Sequence, residues 1–242
     1  MKIAMWSGPR NISTALMRSF GNRSDTYISD EPLYGYYLNK NEIMHPMKNE
    51  IIKKMDTNFS ELTNYLTGKF PANKSIWYQK HMAHHLSISD NLNWIKALNN
   101  ILLIRNPKDV ILSYIKKNNK LNNVFQLGYP QQIKIFESTI INNKHCLIVD
   151  ADDLLFNPKK MLLKLCSEIG ISFDKKMLNW KSGSKNYDGI WGEYWYDNAN
   201  NSTGFKLKIH DNSKKNIPKL YLKTYEKSIL YYEKLKKNRI KL

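Results

Sequence analysis

Short apolar runs alternate with amphipathic segments along most of the chain. The runs cover residues 3–6, 26–29, 75–79, 101–104 and 146–149. Most of these runs would place apolar side chains on both faces of a strand, which is typical of strands buried on both faces of a parallel sheet. The segments between them repeat apolar residues every three or four positions, the period of an amphipathic helix. The pattern predicts an α/β three-layer sandwich, a five-stranded parallel sheet flanked by helices.

The helical segments carry their own start and stop signals. In the stretch 39–73, interpreted as a helical insertion of two helices, Asn58 is placed to cap the second helix and Gly68 to end it. Asn106-Pro107 and Asn157-Pro158 are typical of helix N-termini. Further helices are predicted from about Asp90, over 131–142 and over 218–240. Residues 179–205 break the periodicity and form an aromatic-rich loop or lid, within one domain spanning 1–242.

Composition narrows the class of protein. The 242 residues include 42 % hydrophobic and 12 % aromatic side chains, typical of a globular chain with a substantial core. No apolar run approaches the roughly 18 residues of a membrane span. Met1-Lys2 leads directly into the first strand, leaving no room for a secretory signal. Cys146 and Cys166 lack metal-ligand spacing and indicate buried thiols, so we expect a cytoplasmic protein.

The formal net charge of +17 favours anionic partners. Most of the 38 basic residues are lysines scattered among asparagines, so the excess is partly compositional. No repeat or zinc-finger pattern indicates a nucleic-acid module, and we expect no nucleic-acid partner. The lysines of the C-terminal helix are interpreted as a solvated face. A homodimer remains possible.

The first strand leads into a loop suited to an anion. Ser7-Gly8-Pro9 forms a turn, and Ser13 and Thr14 open the next helix, whose free N–H groups and dipole favour negative charge. Arg10 adds a fixed cation, and Asn11 adds a hydrogen-bonding side chain. The loop lacks the second glycine and the lysine of the triphosphate consensus G-x-x-x-x-G-K-[ST], with Ile12 where that glycine might be expected.

Polar side chains follow the other predicted strands at the same edge of the sheet. Ligands of parallel sheets bind at the carboxyl ends of the strands, so we expect these residues to converge on one site. They are Arg10, Glu31, Lys80, His81, Arg105 and Asp150.

Three segments resemble the motifs of the P-loop-like sulfotransferases, which use 3′-phosphoadenosine 5′-phosphosulfate (PAPS). Leu103-Ile-Arg-Asn-Pro-Lys-Asp-Val-Ile-Leu-Ser-Tyr114 resembles their 3′-phosphate motif, and Gly8-Pro-Arg-Asn-Ile-Ser-Thr-Ala-Leu16 resembles their 5′-phosphosulfate loop. Asp152-Asp-Leu-Leu-Phe-Asn-Pro158 is similar to their segment after the fifth strand. The resemblance spans about residues 1–173 and implies a sulfotransferase of this fold, with PAPS as donor and no metal.

The resemblance also implies roles for individual residues. Arg105 and Ser113 would bind the 3′-phosphate, and Arg10 would contact the bridging oxygen and the sulfuryl group. The rest of the first loop would bind the 5′-phosphate, through Asn11, Ile12, Ser13 and Thr14. Lys181 and Lys185 are a loose counterpart of a late Arg-Lys-Gly loop that closes over the nucleotide.

Sulfuryl transfer needs charge stabilisation and a base for the acceptor proton. Lys80 is a candidate second cation beside Arg10. His81 is the first choice of base from its resemblance to a Lys-Thr-His stretch. His84, His85 and Glu31 are rivals.

Two other functions stay open. One is a magnesium-nucleotide kinase or ATPase, because Val149-Asp150 resembles the strand and carboxylate that bind magnesium in such enzymes. The other is a non-catalytic nucleotide binder. The expected acceptor is a small molecule with a hydroxyl or amine, and an aromatic pocket would suit a cationic or apolar one. Its candidate residues are Trp6, Tyr34, Tyr36, Tyr37, Trp77, Trp191 and Trp195.

Overall fold

The computed structural model describes residues 1–41, 45–118, 120–142, 145–206 and 216–242. Its centre is a five-stranded sheet with the order β2-β3-β1-β4-β5, and every neighbouring pair is parallel. The predicted fold class is therefore confirmed. The strands are β1 Lys2–Ser7, β2 Thr26–Asp30, β3 Ile76–Met82, β4 Asn99–Ile104 and β5 Cys146–Asp150.

Strand β3 is longer than its sequence pattern predicts. The prediction ended it at Gln79, whereas the strand continues to Met82 and all seven residues are buried. Lys80 and His81 pair with Met5 and Trp6 of β1 within the sheet, so they do not follow the strand end as expected. Lys80 hid the extension, because a buried lysine charge is not expected within a strand and its partners Asp30, Glu31 and Tyr196 lie far away in sequence.

Helices cover both faces of the sheet and divide the core in two. One core contains Trp6 and Trp77 of the sheet with residues of α4, α5, α6 and α11. The other contains Met5 and Tyr78 with residues of α1 and α8. The helices are α1 Ser13–Gly21, α2 Tyr34–Lys40, α3 Lys48–Lys54, α4 Phe59–Thr67, α5 Pro107–Asn118, α6 Tyr129–Ile141, α7 Ala151–Phe156, α8 Pro158–Ile169, α9 Gly192–Trp195, α10 Asp197–Asn200 and α11 Leu222–Lys236.

Several predicted boundaries agree with the structure. Asn58 caps α4 by accepting hydrogen bonds from the N–H groups of Ser60 and Glu61, and Gly68 follows its last turn. Two predictions were wrong. The helix expected from Asp90 is a single 3-10 turn, Asn93–Ala97. The insertion has two helices, α3 and α4, as expected, but its predicted start at residue 39 falls within a further helix, α2.

The aromatic-rich segment 179–205 packs on the second core. It contains the one-turn helices α9 and α10, and Asn179 and Gly204 form an antiparallel bridge at its ends. Trp191 and Tyr196 are buried against the core. Arg18 of α1 forms a bidentate ion pair with Asp188 that joins the segment to the helix after the first loop. Within the described residues, no helix is long and apolar enough to cross a membrane.

Candidate functional site

The loop after β1 presents backbone N–H groups at the carboxyl edge of the sheet. Arg10 and Ile12 both have left-handed backbone conformations, with φ of 63° and 57°. Such turns direct neighbouring N–H groups into one concavity, an arrangement that binds anions. Helix α1 begins at Ser13 as predicted, and no side chain of the described residues caps its first turn. The N-terminus of α1 therefore remains available to an acceptor.

Two buried amides fix the base of this loop. Asn11 Nδ2 and Gln132 Nε2 both donate to the carbonyl oxygen of Leu103, at 3.2 and 3.0 Å. Gln132 Nε2 also donates to the carbonyl of Trp6 at 3.2 Å. Gln132 thus joins the ends of β1 and β4 at the point where the loop leaves the sheet.

Close backbone packing places this loop beside the end of β3. A Cβ on Gly8 would lie 2.1 Å from the Leu127 carbonyl oxygen, so this position requires glycine. A Cβ on Gly128 would lie 3.4 Å from Gly8 Cα and 3.3 Å from the backbone nitrogen of His84. The loop and His84 are therefore neighbours across Gly128.

The structure brings Arg10, Arg105 and Ser113 together. Arg105 Nη1 donates to the Arg10 carbonyl at 3.0 Å. Arg10 Nε donates to Ser113 Oγ at 2.9 Å. Arg105 follows the end of β4, and Ser113 lies under two turns into α5, the helix that comes next. The two motifs therefore lie in contact, and a shared binding site at this point stays a prediction.

This arginine pair has little compensating negative charge. Burial, and then the charge of Arg105, lower the pKa of Arg10. In the described ranges, no carboxylate forms an ion pair with Arg10, and Asp152 lies 3.8 Å from Arg105 Nε. Arg105 Nε is buried and has no hydrogen-bond partner in that part of the chain. Two guanidinium groups with spare donors suit a phosphate group.

Lys80 lies in a buried ion-pair network rather than with the arginines. Its Nζ is 3.0 Å from Asp30 Oδ1, 2.5 Å from Glu31 Oε1 and 2.7 Å from the Tyr196 hydroxyl. Burial opposes the lysine charge, but Asp30 and Glu31 outweigh it and raise the pKa of Lys80. Burial raises the pKa of Glu31 despite the attraction of Lys80. These contacts occupy both predicted catalytic side chains, Lys80 and Glu31.

The three histidines at the end of β3 differ in surroundings. His81 is buried, stacks on Trp6 with 4.2 Å between ring centroids, and hydrogen-bonds Gln79. Burial lowers its pKa to about 3, and lowers that of His84 to about 4, each with a further contribution from Lys80. His84 is partly exposed, whereas His85 is buried and stacks on Tyr34 and Tyr37. His84 is therefore better placed than His81 to meet a ligand.

Aromatic rings form a wall beside His84. Tyr37 packs its ring edge-on against His84 with centroids 5.3 Å apart. Trp195 Nε1 donates to His45 Nε2 at 3.0 Å, which connects the late aromatic segment to this wall. Trp6 and Trp77, two of the predicted pocket residues, are fully buried in the core instead.

The remaining predicted residues lie outside the arginine cluster. Lys185 Nζ donates to the carbonyl oxygens of Lys181, Ser182 and Gly183, so its hydrogen bonds lie within the loop 181–185. Among the described residues, no hydrogen bond or ion pair joins Lys181 or Lys185 to Arg10, Arg105 or Ser113. No group of three or more metal-ligating side chains occurs in that part of the chain.

Several residues of the site went unnoticed in the sequence. Gln132, Asp30 and Tyr196 make most of their contacts with partners 50 or more residues away, such as Trp6 for Gln132 and Asp30 for Tyr196. No local spacing indicates such partnerships. Gln132 gave the one local signal, because it is an amide near the start of α6, a helix that presents mostly apolar residues to the core.

Comparison with known proteins gives a consistent result. A family model described as "Sulfotransferase domain" matches residues 1–228. Two Arabidopsis thaliana proteins, branched-chain-amino-acid aminotransferase-like proteins 1 and 2, are each 30 % identical to the chain, over 239 and 203 residues. These matches cover 98 % and 84 % of this chain but only 40 % and 36 % of the relatives. The chain thus spans about two fifths of their length.

Solved structures share the fold. The sulfotransferase domain of the Synechococcus PCC 7002 olefin synthase superposes with a TM-score of 0.61 at 17 % identity, covering 100 % of this chain and 96 % of that domain. A sulfotransferase from Alicyclobacillus acidocaldarius gives a TM-score of 0.54 at 10 % identity, covering 99 % and 97 %.

Proposed function

Because the chain belongs to the sulfotransferase domain family, we propose that it transfers the sulfuryl group of PAPS to a hydroxyl or amine of a small-molecule acceptor. The observation that carries the proposal is the clustering of Arg10, Arg105 and Ser113 beside the uncapped start of α1. These groups supply donors and positive charge for two separated phosphate-type groups, the feature that distinguishes PAPS from a simple nucleotide.

The residues present fit such a donor. Arg105 and Ser113 would bind the 3′-phosphate, because the unpartnered Arg105 Nε and the Ser113 hydroxyl both offer hydrogen bonds. The loop N–H groups, with Ser13 and Thr14, would bind the 5′-phosphosulfate at the start of α1. When bound, PAPS supplies an activated sulfuryl group for in-line displacement.

The protein would contribute positioning, charge and a proton acceptor. Loop N–H groups, fixed by Asn11 and Gln132, stabilise negative charge without reorganising during the reaction. His84 is partly exposed and lies beside the loop across Gly128, so its imidazole, which burial keeps unprotonated at neutral pH by lowering its pKa, is placed to take the acceptor proton. The aromatic wall beside it favours a flat or apolar acceptor.

Two other activities have less support. Asp150, the candidate magnesium ligand of a kinase, accepts hydrogen bonds from the Tyr232 hydroxyl at 2.7 Å and from the Asp152 N–H at 2.9 Å, so structural contacts occupy it. The Arabidopsis relatives carry an aminotransferase-like name, but most of their length lies outside the match. We therefore assign no amino-group transfer to this chain.

The first test compares 3′-phosphoadenosine 5′-phosphate (PAP) with ATP and magnesium by calorimetry. Wild-type protein should bind PAP tightly without metal, and Arg105→Ala should weaken PAP by about 10- to 100-fold, the loss of a charge-assisted contact of roughly 1.5–3 kcal/mol. Lys234→Met, which removes an exposed ion pair with Glu137, is the control and should leave the affinity unchanged. A wild type that prefers ATP with magnesium would overturn the proposal.

A further inference from the structure

We propose that Trp195 bounds the acceptor site and sets the largest acceptor that the site admits. This inference rests on the proposed function, because it assigns a specificity-determining residue to the same site. Trp195 ends the one-turn helix α9 of the aromatic-rich segment 179–205, far along the chain from His84 and from the loop after β1.

Three half-buried side chains mark the region where an acceptor would meet His84. Tyr37 of α2 packs edge-on against His84, with 5.3 Å between the ring centroids. The phenol of Tyr114, on α5, lies close to Tyr37, since burial, and then Tyr114, raise the pKa of Tyr37 to about 12. His84, Tyr37 and Tyr114 all keep part of their surface open to solvent. We call the space beside these three side chains the acceptor region.

Trp195 forms a bridge between α5 and the residue that precedes α3. On one side, Lys117 of α5 places its Nζ 5.9 Å from the centroid of the indole and forms an ion pair with Asp197 at 3.1 Å. Lys117 lies one helical turn beyond Ser113, so the two residues share a face of α5. On the other side, Trp195 Nε1 donates to His45 Nε2 at 3.0 Å.

A continuous line of ring contacts leads from His45 back to His84. The Tyr34 hydroxyl lies 2.5 Å from His45 Nε2, and the two rings meet edge-on with centroids 5.3 Å apart. Tyr34 contacts Tyr37 at 6.3 Å between centroids, and Tyr37 contacts His84. Trp195 thus completes a boundary that runs from His84 through α2 and His45 to α5. A side chain in this position limits the dimensions of a molecule bound in the acceptor region.

Trp195 is held less firmly than the residue next to it. Tyr196 is buried, donates to Asp30 at 2.8 Å and accepts from Lys80 at 2.7 Å. Trp195 is only half-buried, and the Lys117 side chain beside it is 39 % exposed. Exposed charge contacts contribute little to stability, so replacing the indole should leave the Lys80 network in place. The segment therefore combines an anchor, Tyr196, with a boundary residue, Trp195, that can be changed separately.

The first test measures access to His84 without any ligand. Diethyl pyrocarbonate acylates unprotonated imidazoles, and mass spectrometry gives the rate at each histidine. In Trp195→Ala, labelling of His84 and His45, relative to the exposed His145, should be about threefold or more faster than in wild type. Trp195→Phe keeps a ring and loses only the N–H, so His84 labelling should stay within about twofold. Tyr194→Ala removes an exposed ring one residue earlier and is the matched control, which should change neither rate.

The second test measures acceptor size with PAPS and a panel in which phenols, alcohols and amines are each represented by a compact and a bulky member. For the class that wild type uses, Trp195→Ala should raise the ratio of kcat/KM for the bulky acceptor over the compact one by about tenfold or more. Trp195→Phe and Tyr194→Ala should keep this ratio within about twofold of wild type. PAP affinity should stay within about twofold in all three variants, because the substitutions leave the arginine cluster intact.

The outcomes separate the two claims. Unchanged His84 labelling or an unchanged size ratio in Trp195→Ala, with PAP binding and turnover of wild type intact, would overturn this inference alone. A wild type that does not bind PAP, or that transfers a sulfuryl group to no member of the panel, would overturn the proposed function and the selectivity role with it. Melting temperatures within about 3 °C of wild type would establish that the variants are folded.

Discussion

His84 illustrates how burial sets the chemistry of a single side chain. Burial lowers its pKa to about 4, so the imidazole stays neutral far below the usual range of histidine. A base is lost when it becomes protonated, and this protonation occurs as the pH falls through the folded-state pKa. The acidic limb of kcat/KM should therefore lie near pH 4, not near 6.5.

Turnover measurements can test this role once a panel of phenols, alcohols and amines has identified an acceptor. Between pH 5 and 8, kcat/KM of the wild type should show no acidic limb. His84→Gln should lower kcat by about 100-fold or more while PAP affinity stays within about twofold. His81→Gln is the matched control, because His81 is stacked inside the core, and should retain most of the turnover of folded protein. A midpoint between pH 6 and 7 would contradict the assignment.

The two histidines also show where residue-level prediction ends. The stretch Lys80-His81 resembled a motif, but the structure extends β3 through both residues and buries them. The contacts that bury them, the ion pair of Lys80 with Asp30 and the stacking of His81 on Trp6, depend on the tertiary fold. In contrast, the placement of Arg105 at a strand end and of Ser113 on the next helix was predictable. The sequence Asn106-Pro107 marks where α5 starts, and this fixes the spacing of the two residues.

At the scale of elements, Gln132 joins three parts of the site. From α6 its amide reaches the carbonyls of Trp6 in β1 and Leu103 in β4, and the latter carbonyl also receives Asn11. Replacing Gln132 by Met should remove this link and loosen the loop after β1, which we propose binds the 5′ group. We expect PAP affinity to fall about tenfold or more, by the loss of positioning.

Gln131 provides a matched control for this substitution. It is the neighbouring buried amide of α6, and its Nε2 donates to the carbonyls of Leu86 and Phe125, away from the loop. Both Gln→Met variants should lose about 1–3 kcal/mol of unfolding free energy from unsatisfied carbonyls. Gln131→Met alone should keep wild-type PAP affinity. Equal affinities for the two variants would refute a positioning role for Gln132.

Elements with strong local signals were predicted well, and elements without them were not. The helices flanked by Asn-Pro or glycine signals had defined ends, because caps and turns are local, whereas the strands were located but the end of β3 was not. Helix α2 lacks a side-chain cap and begins after the left-handed residue Glu31. Nothing local distinguishes such a helix from a loop, and tertiary packing of Tyr34 and Leu38 stabilises it.

At the scale of the whole molecule, one buried ion pair joins the aromatic-rich segment 179–205 to helix α1. Arg18 and Asp188 have side chains that are 0 % and 7 % exposed, and Arg18 Nη2 also donates to Asn200 Oδ1 at 3.1 Å. Asp188 accepts from the Lys185 N–H at 2.8 Å. These contacts therefore connect α1 to the aromatic-rich segment at Lys185, Asp188 and Asn200. The same segment contributes Tyr196 to the ion-pair network around Lys80.

Removing one partner would leave the other charge buried and unpaired. Arg18→Met should therefore lower the free energy of unfolding by about 3–5 kcal/mol, measured by urea denaturation. The double variant Arg18→Met/Asp188→Leu should recover much of this loss, because both charges leave together. Lys234→Met, which breaks an exposed pair, should change stability by less than about 1 kcal/mol. If Arg18→Met is no more destabilising than Lys234→Met, the ion pair does not anchor the aromatic segment, and the packing of Trp191 and Tyr196 must do so.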